Sequence, residues 1–555
     1  MNLAPLADVV AYIDPDPTRL RGVKQVLDSR FDKVWSPNPR CVMATRALAH
    51  SVPDGEDLRE SGVAFAEGRD AIDDRRVARS TVESLPGNVG LVRVDGDKLV
   101  VVRSGPGTVP WYAWQDGHRA LVATRFTELL ALLPSTPELD PLVCAMWASF
   151  QPAFPDGRSF VRGVTVIPPG HTAEVGAGEP VRCRRWWDPW PDDLPWPSRA
   201  SAAHHVERFR HAVLKALEGE VAEEPVNVLT LSGGVDSSAL AYLVVRHLGR
   251  PMSALSFVPP EEGPEARLEA SYLDALVADL TIAPHLRRPL SATERLVLMA
   301  GTPPVAFPVM HPALQVLPEL VAEWGVEVLL GGEWADEVCG GWFAYSDWLD
   351  AVSLPRLIGR WRALPKGRRD VLAWARRRIP GRLPSGPWRA SLSESIRPEV
   401  HDEYQAWRGE QLTVVRRSIG LHRYQQAVLA SLEGALAMNW EVCSFLGVRR
   451  AFPFLTAEVL EVVSSCHPVE LLGPGPKRLE RRAFTGLVPD RFLCRPDKSG
   501  WRSRDDDTPV HPCAVPDVLG ATFRENLGHL APIEAAGVAL VSQFADQALA
   551  AQTRR

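Results

Sequence analysis

Val226–Ser238 reads VNVLTLSGGVDSS, and this stretch decides the fold. Val226–Leu231 is a short apolar run of strand character. The segment after Ser238 is predicted to continue as a helix through Leu248. The loop Ser232–Ser238 therefore joins the C-terminal end of a buried strand to a helix, the place where open α/β sheets bind ligands. Gly233 and Gly234 permit a tight turn and bring backbone N–H groups close to an anion, and the helix start adds positive dipole. Ser232, Ser237 and Ser238 offer hydroxyls to phosphate oxygens. Asp236 in the same loop would repel bare phosphate, so a cation is expected between them, most simply Mg²⁺. GxxxxGK[ST] is absent, which excludes a Walker loop.

Working outward, Val206, Phe209, Val213 and Leu217 recur at helical spacing and predict an amphipathic helix over about 200–219. Met252–Val258 reads as a second strand, Glu265–Leu280 as a second helix, and Val326–Leu330 as a third strand entering Gly331-Gly332-Glu333. Strands separated by helices imply right-handed crossovers and a parallel sheet. Beyond residue 420 the chain reads as almost wholly helical. On the N-terminal side, 185–198 (RWWDPWPDDLPWPS) holds four prolines and four tryptophans, a linker composition. Before it lie short β segments. Val89–Val94 and Leu99–Arg103 flank the hairpin signal Asp95-Gly96-Asp97, and Ala120–Thr124 and Gly163–Ile167 are also strand-like. Helical periodicity appears at Thr127–Leu133 and Pro141–Ser149, so this half is α+β in character.

Composition sets the outer limits. The chain has 555 residues and a net charge of −6, with 45% hydrophobic and 23% charged residues, a globular profile. At roughly 100–250 residues per domain, two to four domains are expected. No run approaches the ~18 apolar residues of a membrane span, and no secretory signal is evident. A cytoplasmic protein without a membrane span is the expectation. The eight cysteines (41, 144, 183, 339, 443, 466, 494, 513) form no CxxC pair, which argues against a disulfide scaffold and a structural zinc site. The mildly acidic balance gives no reason to expect nucleic-acid binding.

The motif SGGVDSS resembles the pyrophosphate-binding loop of the N-type ATP pyrophosphatases, which activate a carboxylate as its adenylate. The resemblance implies ATP and Mg²⁺, with Leu231, Ser232, Gly233, Gly234, Asp236, Ser237, Ser238, Ser256, Phe257 and Gly332 around the nucleotide. Leu329–Trp342, LLGGEWADEVCGGW, resembles the asparagine-synthetase-type segment GEGSDEVFGGY. It implies that Asp336 shares metal with Asp236 and that Glu333 lies beside the adenylate as a candidate general base, which needs a raised pKa or a proton relay. Downstream, Pro453-Phe454-Leu455 resembles the family's PFLD element. Pro476-Lys477-Arg478 with Arg481-Arg482-Ala483 resembles GK..LR.A, and Arg495–Trp501 resembles the RPK.GF close. Lys498 is thereby implied as a phosphate-contacting lysine that neutralises charge on departing pyrophosphate, with Lys477 as a second catalytic candidate. Arg449, Ala451 and Thr456 depart from the family pattern around PFLD, which speaks against an aspartate-specific acceptor pocket.

The N-terminal half resembles class II glutamine amidotransferase domains at Val101–Gly107 with Pro110-Trp111-Tyr112, at Ala123–Leu130, and at Pro168–His171 with Arg185–Asp188. The glutaminase cysteine expected after Met1 is Asn2 here, Cys41 is internal, and the glutamine-binding motifs are unreadable. No ammonia production from glutamine is expected. The implied architecture is an α+β N-terminal Ntn-like β-sandwich domain (1–190, degenerate amidotransferase-like), a linker (191–199), and an α/β C-terminal domain (200–555). The last has a parallel sheet of the adenine-nucleotide α-hydrolase (PP-loop) type and a helical C-terminal part. A basic insertion at about 355–390 carries eleven Arg/Lys against Asp370 alone, interleaved with Trp361 and Trp374. Arg and Trp together suit a surface that grips a peptide. The expected function is an AMP-forming amide synthetase, foremost a lasso-peptide macrolactam cyclase acting on a precursor core peptide, with a leader peptidase and a leader-recognition protein as partners. Asparagine synthetase, β-lactam synthetase-like and non-catalytic peptide-binding readings are the alternatives.

Overall fold

The computed structural model describes residues 8–31, 33–45, 63–67, 88–95, 97–135, 138–148, 153–176, 178–189, 199–221, 227–258, 263–289, 312–339, 375, 397–417, 433–466, 468–471 and 477–495. Two antiparallel sheets occupy the N-terminal half. Their strands are β1 (Val9–Ile13), β2 (Lys33–Asn38), β3 (Cys41–Thr45), β4 (Val63–Glu67), β5 (Asn88–Asp95), β6 (Lys98–Arg103), β7 (Tyr112–Asp116), β8 (Arg119–Ala123), β9 (Val164–Val166), β10 (His171–Gly176) and β11 (Glu179–Arg185). One sheet has the order β2-β3-β1-β8-β7-β9 and the other β11-β10-β6-β5-β4. The β5–β6 hairpin closes with Asp95 opposite Lys98, as Asp95-Gly96-Asp97 predicts. Period-two alternation builds the layers. Val9, Ala11 and Ile13 of β1 join Val92, Val101 and Ala173 in a core shared by both sheets. Val10 and Tyr12 face the other way, onto Phe126, Leu129, Leu142 and Trp147. Those last four side chains come from helices Phe126–Leu132 and Pro141–Ala148.

The third sheet is parallel throughout, in the order β14-β13-β12-β15-β16, with β12 (Asn227–Thr230) at its centre. Its other strands are β13 (Ser253–Val258), β14 (His285–Pro289), β15 (Val328–Gly331) and β16 (Arg449–Ala451). Both faces are covered, which is why β12 and β15 read as continuous apolar runs. Leu229 faces Phe209, Val213 and Leu217 of helix Arg199–Glu220, the apolar stripe the sequence predicts. Val228 and Leu329 face Leu314, Leu317 and Leu320 of helix Pro312–Trp324.

Two of the five strands lack a sequence signal. In β14, HLRRP, no residue is fully buried, so no apolar run betrays it. In β16, RRA, both arginines are buried, an arrangement that only tertiary partners make tolerable. The segment past residue 420 is thus not wholly helical. The helix after the Ser232–Ser238 loop spans Val235–Tyr242 and continues as a π-helical turn over Leu243–His247. Most of the linker at 191–199 and, apart from Ala375, the insertion at 355–390 lie outside the described residues, as do Asn2 and Lys498. Among the described residues no helix is long and apolar enough to cross a membrane, and the seven described cysteines are free thiols.

Candidate active site

Ser232–Ser238 leaves the C-terminal end of β12 and curls over the start of the following helix. Gly233 adopts a left-handed φ of 70°, which an L side chain rarely accepts. The serines organise the turn. Ser232 N–H donates to Ser237 Oγ at 3.2 Å, the two hydroxyls lie 3.1 Å apart, and Gly234 N–H donates to Ser232 Oγ at 3.3 Å. Ser238 Oγ is buried without a hydrogen-bond partner. Arg495 braces the loop from behind. It donates to the Gly233 carbonyl, pairs with buried Glu269, and lies 4.1 Å from the Tyr272 ring centroid.

The second loop leaves β15, the parallel neighbour of β12, with Thr230 opposite Gly331. Both loops therefore emerge from the same edge of the sheet. They touch at Gly332, where a Cβ would lie 3.1 Å from both Asp236 Cβ and the Ser237 backbone nitrogen. A third segment closes the site. Lys477, immediately before helix Arg478–Ala483, donates through Nζ to both carboxylate oxygens of Asp236 and sits 2.8 Å from Asp336 Oδ1. Its backbone is left-handed at φ 62°, and Trp334 is left-handed at φ 73°. Strain of about 1–3 kcal/mol per bulky residue in this region persists only where surroundings enforce it, and such residues cluster at functional sites.

The electrostatics follow from burial. Asp236 is half-buried, and burial pushes its carboxyl up against the opposing pull of Lys477. For the Lys477 ammonium burial acts downward, but Asp236, Glu480 and Asp336 together outweigh it and raise its pKa. Burial also pushes the Glu337 carboxyl up to about 7. Glu480, on the first turn after Lys477, is completely buried beside Asp236, and burial drives its carboxyl well up.

The structure thus brings Asp236, Asp336 and Lys477 together, with Ser232, Gly233, Gly234, Ser237, Ser238 and Gly332 around them. Glu333 stands slightly apart, over Gly331, with Oε1 held 2.6 Å from Arg450 Nη2 and 3.4 Å from Thr230 Oγ1. Leu231 is buried at the loop entry, and its carbonyl accepts the Ser256 hydroxyl at 2.6 Å. That hydroxyl also contacts His285 Nε2 at 2.8 Å, so Ser256 and the adjacent Phe257 frame the loop along β13. Sequence reasoning missed Arg450 and Glu480. A signal existed for the second: the leucine of GK..LR.A is Glu480 here. Thr456, where PFLD ends in an acid, instead caps helix Ala457–Ser465 by accepting from Val459 N–H at 3.3 Å.

Two carboxylates converging on one ammonium show where the site needs positive charge. All their donor atoms are hard oxygens, the set that Mg²⁺ prefers, so Asp236 and Asp336 fit that ion.

The profile of the asparagine synthase family matches residues 206–552. The chain is 27% identical over 196 residues to the glutamine-hydrolysing asparagine synthetase 2 of Oryza sativa subsp. japonica, covering 32% of this chain and 31% of that protein. It is 28% identical over 168 residues to amidase chyE of Penicillium rubens, covering 30% and 24% respectively. The chain thus spans a third or less of the length of the curated relatives it matches. Among solved structures, glutamine phosphoribosylpyrophosphate amidotransferase from B. subtilis, complexed with ADP and GMP, aligns at 11% identity over 62% of this chain and 76% of that one, with a TM-score of 0.15. With a Gly-rich loop and a second aspartate loop meeting at one sheet edge, and a profile match over more than half its length, the chain belongs to the asparagine synthase family.

Proposed function

We propose that the protein is an ATP-dependent, AMP-forming amide synthetase that joins a side-chain carboxylate to an amine. The observation that carries this reading is the convergence of Lys477 on Asp236 and Asp336 where two strand-end loops meet. In the reaction, a carboxylate oxygen attacks the α-phosphorus of ATP and the bond to pyrophosphate breaks. The amine nitrogen then attacks the acyl carbon, AMP leaves, and the amine proton passes to a base. The Ser232–Ser238 loop binds the pyrophosphate portion through its N–H and hydroxyl groups. Lys477, and Lys498 outside the described residues, neutralise negative charge there. Glu333, oriented by Arg450, accepts the amine proton. Magnesium held by Asp236 and Asp336 supplies charge neutralisation on the phosphates. Catalysis is then mainly positioning and electrostatics.

More specifically, we propose a lasso-peptide macrolactam cyclase of the cytoplasm, whose amine is the peptide's own N-terminus. A leader peptidase and a leader-recognition protein are its partners, and nucleic acid has no part. The unreadable glutamine-binding motifs and the Arg/Trp-rich segment 355–390 support an internal amine and a peptide substrate. Asparagine synthesis is the second reading, favoured by the relatives' names and disfavoured by Arg449, Ala451 and Thr456. A processed precursor should become a product lighter by one water only with ATP and Mg²⁺, and Asp236→Ala, Asp336→Ala, Lys477→Ala and Lys498→Ala should each abolish turnover. Asparagine formed from aspartate and ammonia would sink the cyclase. A chain that never exchanges pyrophosphate into ATP would sink both readings.

A further inference from the structure

A second cluster of ligating side chains takes none of its members from the strand-end loops. His205 comes from helix Arg199–Glu220, Cys466 ends helix Ala457–Ser465, and Glu470 belongs to helix Pro468–Leu471. Each offers one ligating atom, a ring nitrogen, a sulfur and a carboxylate oxygen, and these atoms all lie within 4.8 Å of one another. His205 Nδ1 and Glu470 Oε2 are 2.7 Å apart, and the Cys466 thiol donates to the Val462 carbonyl at 3.3 Å. Cys466 is fully buried, Glu470 is buried, and His205 is the most open of the three, its side chain 12% exposed. Packing sets the histidine before any ion arrives. Phe209 lies one turn further along the same helix face, and its ring stands 6.4 Å from that of Phe454 and 6.0 Å from that of Phe484.

We propose that His205, Cys466 and Glu470 form a binding site for a transition-metal dication, foremost Zn²⁺. The donor set selects the ion, since thiolate sulfur and imidazole nitrogen suit Zn²⁺ whereas Mg²⁺ takes oxygen. A tetrahedral Zn²⁺ with bonds of about 2.0–2.3 Å spaces its ligands about 3.5 Å apart. His205 and Glu470 lie inside that spacing and the sulfur lies within 4.8 Å of both, so small side-chain adjustments close the site. Water completes the fourth position on the side of His205. Burial, reinforced by Glu470 and opposed by Arg208, pushes the Cys466 thiol up. The thiol therefore keeps its proton until the metal–sulfur bond forms, and the proton then passes to solvent. The lack of a CxxC pair speaks only against ligands paired along the sequence; here the fold gathers them from three helices. The bound ion clips helix Arg199–Glu220 to the segment that precedes Lys477.

Co²⁺ serves as the probe, because a bound thiolate gives it a near-ultraviolet charge-transfer band that oxygen ligands such as Asp236 and Asp336 do not. The reduced, metal-stripped full chain without nucleotide should show this band on Co²⁺ addition, lose it to Zn²⁺, and release about one proton per ion bound. Cys466→Ser should abolish the band, whereas Asp236→Asn should keep it. His205→Gln and Glu470→Gln should each weaken Zn²⁺ binding by about tenfold or more. Zn²⁺ should also raise the melting temperature of the wild type more than that of His205→Gln. A wild type without the band, or an unchanged band in Cys466→Ser, overturns the proposal and leaves a His–Glu hydrogen bond beside a core thiol. Should Cys466→Ser fail to fold, wild-type Zn²⁺ affinity in both His205→Gln and Glu470→Gln overturns it equally.

Discussion

Gly332 shows how little room a single residue leaves in this site. Its missing side chain lets the β15 loop rest on Asp236 and Ser237, with a virtual Cβ 3.1 Å from each. A methyl group there must push the two loops apart by a few tenths of an ångström. Gly332→Ala is therefore expected to keep its thermal stability within a few degrees yet slow pyrophosphate exchange by about 10–100-fold, because misplacement of reacting groups on this scale is costly. Exchange at the wild-type rate would show that the loops do not need this contact. Lys477 illustrates a different limit. The sequence marks it as a lysine in a family-like run, but only its left-handed backbone and the approach of two distant loops aim it at Asp236. Glu480 was legible as a departure from pattern, whereas its burial against Asp236 was not.

At the scale of elements, the edge of the parallel sheet is wired to the loop it supports. Ser256 on β13 donates to the Leu231 carbonyl and contacts His285 on β14, linking an edge strand to the entry of the Ser232–Ser238 loop. Burial, aided by Arg287 and opposed by Asp274, lowers the His285 pKa below its ordinary 6.5. A group that resists protonation when folded gives full stability above its unfolded pKa of 6.5 and loses it as pH falls through that value toward the folded one. Thermal stability should thus drop between about pH 7.5 and pH 5.5, and His285→Gln should reduce that drop. An unchanged pH dependence in the variant would assign the loss to other groups. Strand β12 and its flanking helices were legible because burial on both faces demands an apolar run. Strands β14 and β16 were not, because exposure in one and buried arginines in the other erase that pattern.

Across the whole molecule, a buried polar network joins the antiparallel sheets to helix Glu433–Phe445. Arg103, at the end of β6, is fully buried, pairs with Glu433, and donates to the carbonyls of Ile167 and Gly107. Glu441 reaches from the same helix to accept the backbone N–H groups of Phe126 and Thr127, both at 3.0 Å. It thereby satisfies the start of helix Phe126–Leu132, where negative charge is favoured. Arg103→Met strands a buried Glu433 and should cost about 3–5 kcal/mol in denaturant unfolding. Adding Glu433→Leu should restore much of that loss, since removing both charges leaves nothing unpaired. A double variant as unstable as the single one would place the cost in the lost carbonyl contacts instead.

The sequence by itself determined the parallel sheet, the Gly-rich loop and the two aspartates, because apolar runs, glycines and acidic loop residues report local geometry and chemistry directly. The tertiary structure decided which charges share the site. Lys477, Glu480 and Arg450 lie more than a hundred residues from the carboxylates they face, Asp236 and Glu333. Electrostatic partnership depends on distance and burial in the folded chain, and neither is written in the spacing of residues along it.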